Sequence, residues 1–82
     1  MKIENISVGE FIGLLEHAKG NIYLVTDEGV YFNLSSKLSQ LYCAKMLLNR
    51  AGNDLISPNL QFEKAEDEYL FNQYTKGRKL TR

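Results

Sequence analysis

Between Val8 and Ala18 apolar side chains return every three or four positions (Val8, Phe11, Ile12, Leu15, Ala18), which is the spacing of one helical face. The start of that helix is signposted. Ser7 can cap it, Glu10 stands three residues on to complete a capping box, and Ile6 can staple onto Phe11. Gly20 supplies a left-handed stop, so the spacing predicts a helix over about residues 8–19. Ahead of it, Met1, Ile3 and Ile6 alternate with Lys2, Glu4 and Asn5, the period of a strand. Behind it, Ile22 to Thr26 and Val30 to Leu34 are rich in β-branched and aromatic residues. The Asp27-Glu28-Gly29 stretch between them reads as a hairpin loop, which makes the two strands antiparallel neighbours.

Ser35 or Ser36 then caps a second helix that runs to about Arg50 and stops at Ala51-Gly52-Asn53. Leu38, Leu41, Tyr42, Met46 and Leu48 are expected to share its buried face, with Cys43 and Leu47 on the opposite side. Pro58 argues against a central strand through residues 54–63, leaving Leu60-Gln61-Phe62 as a short strand. A third helix is expected from Lys64 to Tyr74. Its acids, Glu66, Asp67 and Glu68, cluster in the first turn, where the helix dipole favours them. The predicted order is β-α-β-β-α-β-α. It implies an α+β fold with one antiparallel sheet and the helices packed on one face.

Eighty-two residues allow one domain, which buries only about 60–65% of its unfolded surface. The formal net charge of zero hides an asymmetry. Residues 1–75 hold ten acidic and six basic side chains, whereas residues 76–82 hold Lys76, Arg78, Lys79 and Arg82 and no acid. The expected division is therefore a domain over 1–75 and a basic tail over 76–82. Such a tail could make electrostatic contact with an acidic partner, although a solvated terminus is the plainer reading. One cysteine excludes an internal disulfide framework and a cysteine-based zinc site. No apolar run approaches the roughly 20 residues of a membrane span, and no signal-peptide pattern opens the chain, so no membrane partner and a cytoplasmic location are expected.

The stretch from Gly29 to Ser36, with Asn33-Leu34-Ser35-Ser36 at the junction of strand and helix, resembles the middle of the HPr phosphocarrier family. The resemblance extends over about residues 7–71. Phe11 to Ala18 looks like that family's first helix, and Leu60 to Leu70 like its last strand and helix. A Gly…Asn-Leu-x-Ser-x-Leu-Ser-Gln stretch also resembles short bacterial proteins of similar length with no assigned role. The departures decide what the resemblance implies. Phosphocarriers hold a phosphorylatable histidine at the start of the first helix, closely followed by an arginine. Here Ser7 and Gly9 stand in those places, and the only histidine, His17, lies ten residues further on. Phosphoryl relay through the family position is thereby excluded. Ser36 resembles a regulatory serine of some relatives, where phosphate would meet free helix N–H groups. A simple cap is the plainer account.

No other set of residues suggests catalysis. A Cys43–His17 dyad would need a tertiary accident, and Asp27 and Glu28 read as solvated turn residues. The chain is not expected to be an enzyme or to need a cofactor. Tyr23 and Tyr31 could share a sheet face, but the basic neighbours of a nucleic-acid platform are missing, so nucleic acid is not an expected partner. Cys43 and Leu47 would form an apolar strip if their side of helix two were exposed. The leading expectation is a non-catalytic HPr-like protein-binding or regulatory module that meets an unknown protein or a second copy of itself. The alternative is an RNA- or anion-binding domain using the basic tail.

Overall fold

The computed structural model describes residues 1–80, with side chains described through Lys76. Its elements are β1 (Ile6–Ser7), α1 (Val8–Glu16), β2 (Ile22–Val25), β3 (Tyr31–Asn33), α2 (Lys37–Ala51), β4 (Leu55–Ile56), β5 (Leu60–Phe62) and α3 (Ala65–Leu80). Three antiparallel strands lie in the order β3-β2-β5, and β1 pairs separately with β4. The chain is thus a small α+β domain with three helices and antiparallel sheets.

The N-terminal segment is split, not continuous. Residues Met1 to Ile3 run beside β5: the Met1 ammonium donates to the Leu60 carbonyl at 2.8 Å, Leu60 N–H to Met1 at 2.7 Å, and Ile3 N–H to Pro58 at 3.0 Å. Asn5, at φ 58°, then turns the chain so that Ile6 can pair with Ile56. The Leu55–Ile56 strand is absent from the sequence-based expectation. Two residues are too few to show a period, and Leu55 is exposed while Ile56 is buried.

Along β2 the pleat sends Ile22 and Leu24 to one face and Tyr23 and Val25 to the other. The first face meets Phe11 and Leu15 of α1, Cys43 of α2 and Phe71 of α3 in one core cluster that also holds Ile3, Ile6, Leu34, Ile56 and Leu60. Phe62 reaches the same core, its ring 5.1 Å from that of Phe71.

The capping box of α1 forms as expected: Glu10 N–H donates to Ser7 Oγ at 3.2 Å, and Ser7 N–H donates to Glu10 Oε1 at 3.2 Å. The helix ends earlier than its apolar spacing suggests, at a His17 cap in right-handed geometry. Gly20 is not the left-handed stop. It is needed for close approach, since a Cβ there would lie 2.7 Å from Lys64 Cγ. Left-handed glycines do occur at Gly29 in the hairpin and at Gly52, where the N–H caps α2 by donating to the Leu48 carbonyl at 3.2 Å. At the far end α3 continues to Leu80, so the basic tail begins inside a helix.

Candidate functional site

The phase of α2 departs from the one its leucines suggest: Met46 and Leu48 pack against the core as expected, but Leu38, Leu41 and Tyr42 do not. Cys43 is fully buried, and Leu47 packs against the core. Leu38 and Leu41 are 79% and 51% exposed, and Tyr42 is 60% exposed. The physical reason is that apolar residues stand on two sides of α2 with polar ones interspersed among them, so the spacing of leucines leaves its phase undetermined. Small residues settle it. Cys43 and Ala44 are buried, and they let the helix backbone come close to the sheet. Gln40, on the same side, is buried as well and donates from Nε2 to the Leu34 carbonyl at 3.0 Å. Cys43 and Leu47 therefore do not form a surface strip.

Ser36, not Ser35, is the cap of α2: its Oγ accepts the Ser39 N–H at 3.1 Å. Ser35 N–H is taken by Asn33 Oδ1 at 2.8 Å, which sets the turn between β3 and the helix. Lys37, in the first turn, places Nζ 2.7 Å from Glu16 Oε2, and this hydrogen bond and charge hold the Glu16 carboxyl below its usual range. The whole helix carries Lys37, Lys45 and Arg50 and no acid.

The exposed row lies beside the sheet edge. The Tyr42 ring centroid is 6.0 Å from that of Phe32 in β3, which is the outermost strand on that side. Leu34 N–H donates to Ile22 and Thr26 N–H to Val30, so the even-numbered residues of β3 face β2. By the alternation of an antiparallel ladder, the N–H and C=O groups of Tyr31 and Asn33 point away from the sheet. Below Tyr42 a hollow of about 340 Å³ is lined by Tyr42, Lys45, Met46, Asn49 and Arg50. Together these residues form an apolar row with a cationic rim and an unpaired strand edge at its side.

The remaining candidates are dispersed. His17 is exposed at the end of α1 with Nδ1 2.9 Å from the Gly13 carbonyl, and Cys43 lies in the core, so the two do not meet. Burial pushes the Cys43 thiol pKa up, which makes it a poorer nucleophile. Among the described residues no group of three or more His, Cys, Asp or Glu could hold a metal ion. No helix among them is long and apolar enough to cross a membrane. Tyr23 and Tyr31 do share the open sheet face, edge to face at 6.4 Å. Lys76 is exposed on α3, Arg78 and Lys79 belong to the same helix, and Arg82 lies outside the described residues.

A second cavity, of about 330 Å³, opens between the end of α1, Ser35 and Lys64, with Gln40 in its lining. Gln40 Oε1 is buried and accepts no hydrogen bond from the described residues. A buried water is the simplest donor for such an atom. No family model, curated protein or solved structure matches this chain.

Proposed function

We propose that this chain is a non-catalytic protein-binding module on an HPr-like frame, and that it docks through the exposed side of α2 and the adjoining β3 edge. The observation that carries the proposal is the row Leu38, Leu41 and Tyr42, all exposed while Cys43 and Ala44 of the same helix are buried. An 82-residue domain has little apolar material to spare, so a contiguous row left in water points to an interface. Tyrosine is also among the residues enriched where proteins meet. Support for the frame comes from the succession of a first edge segment, α1, the β2–β3 hairpin, a serine-capped α2, β5 and α3. The separate β1–β4 pair is an addition to the expected order. The histidine and arginine of a phosphocarrier are replaced by Ser7 and Gly9, which favours binding over phosphoryl relay.

The test is affinity capture with the intact protein and with Leu38→Lys. The wild type should retain a specific protein that the variant loses, with both giving the same circular dichroism. Equal retention by the two would remove α2 as the docking element.

A further inference from the structure

We draw no further inference here: the strongest candidate, the cavity of about 330 Å³ between the end of α1, Ser35 and Lys64, points to no ligand, because a single buried water satisfies Gln40 Oε1 in its lining and the rim charges Lys19 and Glu63 are already engaged by Glu66 and the Asn21 N–H.

Discussion

Asp67 holds Gly20 across 47 positions of sequence. Its Oδ2 accepts the Gly20 N–H at 2.9 Å, its Oδ1 accepts the Lys19 N–H at 3.0 Å, and the side chain is 2% exposed. The start of α3 thereby clasps the loop that carries the chain from α1 to β2. The missing side chain at Gly20 is part of the same arrangement, since it lets Lys64 and Glu63 lie against the loop.

Asp67→Asn keeps the shape of this clasp but replaces one acceptor oxygen with a donor, so an N–H would face an N–H. The expected loss is about 1–3 kcal/mol, the cost of a buried backbone donor left without a partner. Urea unfolding at neutral pH measures it. An unchanged midpoint would mean that the loop reaches water instead of the carboxylate.

Ser7→Ala should lower stability by about 0.5–2 kcal/mol, because it removes the acceptor for the Glu10 N–H. The Tyr74 hydroxyl donates to the same Glu10 side chain, so the box also ties α1 to α3. Tyr74→Phe combined with Ser7→Ala is expected to depart from additivity, as residues in one network do. Thermal melts of the two single variants and the double variant give the coupling.

What could be read in the sequence was local. The Ser7 box, the Asp27–Gly29 loop, the serine cap and the 60–62 strand are each specified by a few adjacent residues, and each is found in the structure. What could not be read depended on distant partners. Asp67 looks like one of three helix-start acids until the Lys19–Gly20 loop folds against it. Likewise α2 presents two apolar sides, and only the fit of Cys43 and Ala44 against the sheet chooses between them. For that reason the leucine spacing turns Leu38, Leu41 and Tyr42 inward and leaves Cys43 and Leu47 on the opposite side. The available signal is that apolar residues fall on both sides of α2 among its polar ones.

Cys43 provides a pH-dependent check on its placement. Burial raises its pKa above the ordinary value of 9.0, so unfolding releases a more acidic thiol. The folded state gains from this while the thiol is protonated in both states. That stability is fully present below pH 9.0 and declines as pH climbs through the ordinary value toward the raised folded one. Urea unfolding at pH 7 and at pH 10 should show the decline, and Cys43→Ala should show a smaller one. Equal slopes in the two proteins would place the thiol in water.

Leu47 and Leu38 separate the two sides of α2 most directly. Leu47 packs against the core, so Leu47→Glu loses packing of about 2 kcal/mol and also places a carboxylate against apolar neighbours. A total loss of roughly 3 kcal/mol or more is expected, enough to unfold much of a domain whose whole stability is of order 5–10 kcal/mol. Leu38 points into solvent, and Leu38→Lys should change stability by no more than about 0.5 kcal/mol. Paired urea titrations of the two variants decide the matter. The reverse result, with Leu47→Glu tolerated and Leu38→Lys destabilising, would turn α2 by half a revolution and remove the exposed row on which the docking face depends.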